Sequence, residues 1–155
     1  MSETGKEVPK MDIKGMKVRD VIKAIGKREP PVVSDDAAIQ DVVRSMCDCQ
    51  HSRVLYVVNK AGQLVGTISL ETLIRHIFSH SHERHAHPRH LLGIITTESA
   101  SDLMSKKPIH ARQDEDLEVV LERMIGKRAP EIAIVGEEGK IIADLTLLDL
   151  LKVCQ

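Results

Sequence analysis

Aromatic residues are almost missing from this 155-residue chain, which has one Tyr, one Phe and no Trp. Single-stranded nucleic acid is held largely by bases stacked on aromatic rings, so that mode of binding is excluded. No surplus of positive charge exists either: 22 Lys and Arg stand against 23 Asp and Glu, for a formal net charge of −1. Nucleic acid is therefore not an expected partner. No apolar run approaches the roughly 20 residues that span a bilayer, so no membrane contact is expected. The opening MSETGKEVPKMDIKG is polar and lacks the apolar centre of a signal peptide. Residues 1–15 read as a flexible tail. Three cysteines in no framework spacing suit reduced thiols and a cytoplasmic setting. P-loop, G-x-S-x-G and H-E-x-x-H signatures are absent, and Ser, His and Asp fall at no spacing that singles out a triad. Catalysis is not expected.

What the chain does have is a duplication. Its composition, 42% hydrophobic and 29% charged, is that of a folded protein whose core is Val, Ile, Leu, Met and Ala. GQLVGTISLETLI (62–74) matches GKIIADLTLLDLL (139–151) at a shift of 77, with Gly62 on Gly139, Leu64 on Ile141, Ser69 on Thr146 and Leu73 on Leu150. Upstream the shift reads as 78, with Asp36 on Asp114, Ile39 on Leu117, Met46 on Met124, Val54 on Ile132 and Tyr56 on Ile134. Two copies make a duplicated domain, not a solenoid.

Each copy predicts strand, helix, strand, strand, helix. PPVV (30–33) and PIHA (108–111) open the copies as short strands. Ile39, Val42, Val43 and Met46, then Leu117, Val120, Leu121 and Met124, follow the i, i+3, i+4, i+7 spacing of a helix face. VLYVV with QLVGTI, and EIAIV with KIIADL, read as hairpins joined by NKAG and GEEG. Last come SLETLIRHIF and TLLDLLKVC as helices. Neither copy is large enough for a generous core, so each needs the other. The expected class is α/β (α+β): two βαββα repeats packed sheet to sheet as a pseudo-twofold pair. The expected divisions are a tail (1–15), a first repeat (16–80), a His-rich linker (81–98) and a second repeat (99–155).

The informative positions lie where the third strand of each copy enters its last helix. Ser69 and Thr146 stand where a helix N-cap belongs. An N-cap hydroxyl beside free main-chain N–H groups suits a phosphate, and Asp149, three residues after Thr146, suits a ribose diol. The same spacing is also a plain helix-start signature.

Motif order and duplication over residues 16–153 resemble a tandem pair of cystathionine-β-synthase (CBS) domains, a Bateman module. The resemblance implies a regulatory, non-catalytic, often homodimeric module. It implies an adenosyl ligand (AMP, ADP, ATP or S-adenosylmethionine) between the copies, and signalling to a partner protein not identified by sequence. The family's Gly-x-x-Ser/Thr-x-x-Asp element falls on Gly66, Ser69 and Thr72, and on Ala143, Thr146 and Asp149. Thr72 lacks the charge of the ribose-binding acid, a hydrogen bond worth ~1.5–3 kcal/mol. Ala143 places a β-carbon where glycine gives close approach. The second copy is therefore the better site. Base contacts would come from Val32, Val33 and Arg53–Leu55, or from Ile109, His110, Ile132 and Ala133. Arg53 and Arg128 are candidates for phosphate, although an arginine at such a position is more often a solvated surface charge.

HIFSHSHERHAHPRH (76–90) holds six of the eight histidines. His76 and His80, one turn apart, with His82, His85 and His87, suit Zn, Ni or Cu. The stretch also suits a solvated connector or a surface that gains charge near the imidazole pKa of about 6.5. Cys47-x-Cys49-x-His51 is a second cluster, at a helix end where thiols pack as small apolar groups. A metal-responsive or purely structural module with decayed nucleotide sites is the alternative function.

Overall fold

The computed structural model describes residues 12–82 and 98–154, the side chains of 80–82 excepted. Its elements are α1 (Val18–Ile25), β1 (Val32–Ser34), α2 (Ile39–Asp48), β2 (Val54–Val58), β3 (Leu64–Ser69) and α3 (Leu70–His82). The second copy supplies α4 (Ala100–Leu103), β4 (His110–Ala111), α5 (Leu117–Gly126), β5 (Glu131–Val135), β6 (Ile141–Thr146) and α6 (Leu147–Val153). Two three-stranded sheets result, β1-β2-β3 and β4-β5-β6. In each, the first strand runs parallel to the second through a helical crossover, and the second pairs antiparallel with the third.

Alternation along the central strands separates two environments. Leu55 and Val57 enter one apolar core with Ile39, Val42, Met46 and Ile68. Ile132 and Ile134 enter the other with Leu117, Val120, Met124 and Leu145. Tyr56 and Ala133, on the opposite faces, belong to neither core yet are 1% and 0% exposed. They are covered between the sheets. Gln63 and Lys140, equivalent residues at the shift of 77, form an antiparallel bridge with each other and so mark the pseudo-twofold axis.

The strand register corrects the alignment read from sequence. Val54 pairs with Ser69 and Glu131 with Thr146, so β2 matches β5 at a shift of 77. Tyr56 is the counterpart of Ala133, not of Ile134. Helices α2 and α5 do keep the shift of 78, so the extra residue lies between helix and strand. A one-residue slip in a strand exchanges its faces: pairing Tyr56 with Ile134 set an intersheet residue against a core residue.

The opening helices α1 and α4 were not among the expected elements, and each serves the other copy. Val18 and Val21 of α1 complete the core of the second copy, and Ala100 of α4 completes that of the first. Main-chain hydrogen bonds fix both, Val18 N–H to Glu115 O at 3.1 Å and Ala100 N–H to Ala37 O at 2.8 Å. Both helices start with an aspartate in the first turn: Asp20 accepts from Lys17 N–H and Asp102 from Ser99 N–H, each at 2.8 Å.

Candidate functional site

β6 runs into α6 at Thr146, whose Oγ1 accepts the Asp149 N–H at 3.1 Å while the Asp149 carboxylate accepts the Thr146 N–H at 2.8 Å. This reciprocal pair fixes the helix start. Asp149 is only 3% exposed, and Arg28, from the α1–β1 segment, meets its charge. Nη1 donates to Oδ1 at 2.9 Å and Nη2 to Oδ2 at 2.8 Å. The guanidinium also donates to Asp144, from Nε to Oδ1 at 3.3 Å and from Nη2 to the main-chain carbonyl at 3.2 Å. The Asp149 hydrogen bond leads the effects that raise Arg28 above its ordinary range, against burial. Burial pushes the Asp149 carboxyl up, but the bonds from Arg28 and Thr146 outweigh it and leave the carboxyl below the usual aspartate value.

Arg28 stands between two cavities. One, about 580 Å³, lies under the α1–β1 segment and is lined by Ile22, Lys23, Gly26, Arg28, Ala143 and Asp144, among others. The other, about 600 Å³, is lined by Ala24, Lys27, Arg28, Asp149, Lys152 and Val153, among others. Both are of a size that takes a small organic ligand.

The equivalent place in the first copy is closed by main chain. Thr67 N–H donates to Ser105 O at 3.1 Å and Ser105 N–H to Thr67 O at 2.8 Å. Gly66 is buried beneath Met104 and Ser105, leaving no room for a β-carbon. Asp144 is the counterpart of Thr67, and there the chain crossing the strand is tied by the Arg28 side chain instead. Ser69 Oγ donates to Thr72 Oγ1 at 2.9 Å and accepts Thr72 N–H at 3.1 Å, a neutral version of the Thr146–Asp149 pair.

The CBS domain family matches residues 18–79 and 100–155. The chain belongs to that family. A CBS-domain-containing protein of Thermotoga maritima is 30% identical, with a TM-score of 0.69 over 89% of this chain and 93% of its own. CBSX2 of Arabidopsis thaliana, solved in complex with AMP, is 21% identical, with a TM-score of 0.70 over 90% and 96%. A further CBS domain pair, solved with 5′-methylthioadenosine and S-adenosyl-L-methionine, is 15% identical, with a TM-score of 0.64 over 88% and 94%. An inosine-5′-monophosphate dehydrogenase of Methanocaldococcus jannaschii is 35% identical over a 72-residue alignment that covers 40% of this chain and 14% of the dehydrogenase.

Of the CBS residues expected at either cleft, Ala143, Thr146 and Asp149 come together around Arg28, and Gly66, Ser69 and Thr72 form their closed counterpart. The others lie elsewhere. Ile109 and His110 line a separate cavity with Arg112, Arg123 and Lys127. Ile132 and Val33 spend their side chains in the two cores, so only their main chain is available to a ligand. Ala133 is sealed between the sheets. Val32 lines a shallow cavity with Pro31, Cys49 and His51. Arg53 is exposed and donates to its neighbour's carbonyl, Ser52 O, at 3.3 Å. Arg128 is exposed, in a left-handed turn at φ 51°.

The polar contacts between the CBS copies were missed in the sequence. His51 Nε2 lies 2.8 Å from Asp144 Oδ2. Glu131 accepts from Ser52 Oγ at 2.9 Å and from Arg53 N–H at 3.1 Å. Burial raises the Glu131 carboxyl more than these bonds lower it. Tyr56 Oη is buried with no hydrogen-bond partner among the described residues. One signal was present: Asp144 is a lone acid inside the apolar strand IIADL.

Among the described residues no group of three or more His, Cys, Asp or Glu is placed to hold a metal ion. His76, on α3, bonds to Glu98 through Nε2. The side chains of His80 and His82, and all of His85 and His87, lie outside the described residues. The expected packing of the cysteines holds only in part: Cys49 is half-buried, with Sγ 3.7 Å from His51 Nδ1, but Cys47 is exposed. No helix among the described residues is long and apolar enough to cross a membrane.

Proposed function

We propose that this CBS pair is a regulatory module that binds one adenosyl ligand in the cleft of its second copy and relays occupancy to a partner protein in the cytoplasm. One observation carries the reading. The Ala143–Thr146–Asp149 element borders cavities closed by the Arg28 side chain, whereas main-chain hydrogen bonds close the first cleft. Related CBS pairs solved with AMP and with S-adenosyl-L-methionine support the ligand class. A ligand there touches the α1–β1 segment of one copy and β6 of the other. It therefore favours one relative setting of the copies, and that difference in affinity is what a partner would read.

Calorimetric titration with AMP, ADP, ATP and S-adenosylmethionine tests the proposal. Binding of one ligand per chain, lost in Asp149→Ala, is expected. No binding of any of the four overturns it.

Assembly as a homodimer is part of the same proposal. The equivalent helices α3 and α6 present Ile74, Leu148 and Leu151 at 44%, 57% and 57% exposure. Light scattering should give twice the 17.2 kDa chain mass, and Leu151→Glu should return the monomer; a monomeric wild type refutes this part.

A further inference from the structure

Asp149 cannot accept a ribose diol while Arg28 holds it. Its carboxylate already accepts three hydrogen bonds, two from Arg28 and one from Thr146 N–H. A carboxylate offers about four acceptor sites, and a diol that donates twice needs two of them. Arg28 must therefore leave before a ribose can be held. A guanidinium drawn off a buried carboxylate with nothing in exchange loses charge-assisted hydrogen bonds. An uncharged ligand offers nothing in exchange; a phosphate does.

The surroundings favour the same chemistry. Lys23 and Lys27 line one cavity, and Lys27 and Lys152 the other. None of these lysines forms an ion pair among the described residues, and all three are exposed. Against the carboxylates of Glu29, Asp144 and Asp149 in the same lining, the three ammonium groups and the guanidinium leave an excess of positive charge, which favours an anion over a cation. S-adenosylmethionine carries a sulfonium and an ammonium against a single carboxylate, so its net positive charge meets the wrong field, and one carboxylate is all it offers Arg28 where a nucleotide offers a dianionic phosphate.

We propose, building on the adenosyl reading of this cleft, that the ligand is a phosphorylated adenine nucleotide and that Arg28 selects it. On binding, the guanidinium passes from Asp149 to the nucleotide's phosphate, and the freed Asp149 carboxylate takes the ribose hydroxyls. Arg28 keeps an anionic partner, and the Asp149 carboxylate keeps hydrogen-bond donors in the ribose hydroxyls and the Thr146 N–H. Arg28 is thus the specificity residue of the site, contributed by the segment ahead of the first copy's β1 to the cleft of the second.

The test is calorimetric titration of the full chain with AMP, adenosine and S-adenosylmethionine, repeated on Arg28→Gln and Arg28→Lys. Wild type should prefer AMP to adenosine and to S-adenosylmethionine by about tenfold or more, the scale of a charge-assisted hydrogen bond. In Arg28→Gln, AMP should weaken and adenosine strengthen, so that the preference falls to about threefold or less. Arg28→Lys, which keeps the charge but not the fork, should retain an intermediate preference. Adenosine binding as tightly as AMP in wild type, or an unchanged preference in Arg28→Gln, overturns the role of Arg28 and leaves the adenosyl reading standing. If none of these three ligands, nor ADP or ATP, binds any form of the chain, the adenosyl reading itself fails. Should Arg28→Gln not fold, the wild-type preference and Arg28→Lys decide the matter.

Discussion

Met104 lies on Gly66 so closely that a β-carbon added to the glycine would come within 2.5 Å of the sulfur and 2.8 Å of the Ser105 carbonyl oxygen. The main chain at Ser105 is pinned by its two hydrogen bonds to Thr67, so it cannot withdraw. Gly66→Ala should therefore cost about 1–3 kcal/mol, as overpacking does. Its counterpart, Ala143, borders a cavity, and Ala143→Gly should lose only the ~0.5–1 kcal/mol of added chain freedom. Urea unfolding of both variants checks the contrast, and equal losses would mean the two clefts are not differently closed.

Glu131 gives a pH dependence of definite sign. Its folded-state carboxyl lies above the ordinary glutamate value because burial opposes its charge. Below the unfolded value both states are protonated and the effect is fully favourable. As pH rises through the folded value the native state must ionise, and that stability is lost. Glu131→Gln removes the ionisation and keeps an acceptor for Ser52 and Arg53. Relative to wild type, the variant should be more stable at pH 7 than at pH 4. A difference that does not change with pH would count against the assignment.

Tyr56 carries a buried hydroxyl with no partner among the described residues. Burial first, then the charges of Asp144 and Glu131, push its phenol far above the ordinary range, so it stays protonated. An unpaired buried donor costs about 1–3 kcal/mol. Tyr56→Phe should raise the unfolding free energy by about 1 kcal/mol. A loss of that size would reveal a hydrogen bond that Tyr56 makes in solution.

Val21 tests the exchange of opening helices. It is fully buried against the second copy's core although it belongs to the first copy's sequence. Val21→Ala should cost about 2 kcal/mol. Truncation of an exposed neighbour, Lys23→Ala, should stay within about 0.5 kcal/mol. Equal, small effects on chemical unfolding would mean that α1 does not cover that core.

Periodicity carried much of this architecture into the sequence. The spacing of Ile39, Val42 and Met46 marked α2, and the β-branched runs VLYVV and EIAIV marked the central strands. Thr146 and Asp149 were legible because a helix start has a fixed spacing. What periodicity cannot say is which core an apolar face meets. Val18, Val21 and Ile22 carry a helical stripe, but nothing local assigns it to residues about a hundred positions later. Arg28 was hidden for the same reason: KREPP reads as a polar approach to a strand, and its partners Asp144 and Asp149 are distant in the chain. The slip between Tyr56 and Ala133 arose because both faces of β2 and β5 are buried, which blurs the alternation that would have fixed the register.

The crossed placement of α1 and α4 makes each sequence repeat a poor folding unit and the pair a good one. A chain cut between 83 and 97 would yield two pieces, each holding the helix that covers the other's core. Separately expressed, the pieces should stay largely unfolded; mixed, they should find each other and recover the native spectrum. This CBS pair is in that sense an obligate heterodimer written on one polypeptide, and its halves can serve as a split reporter.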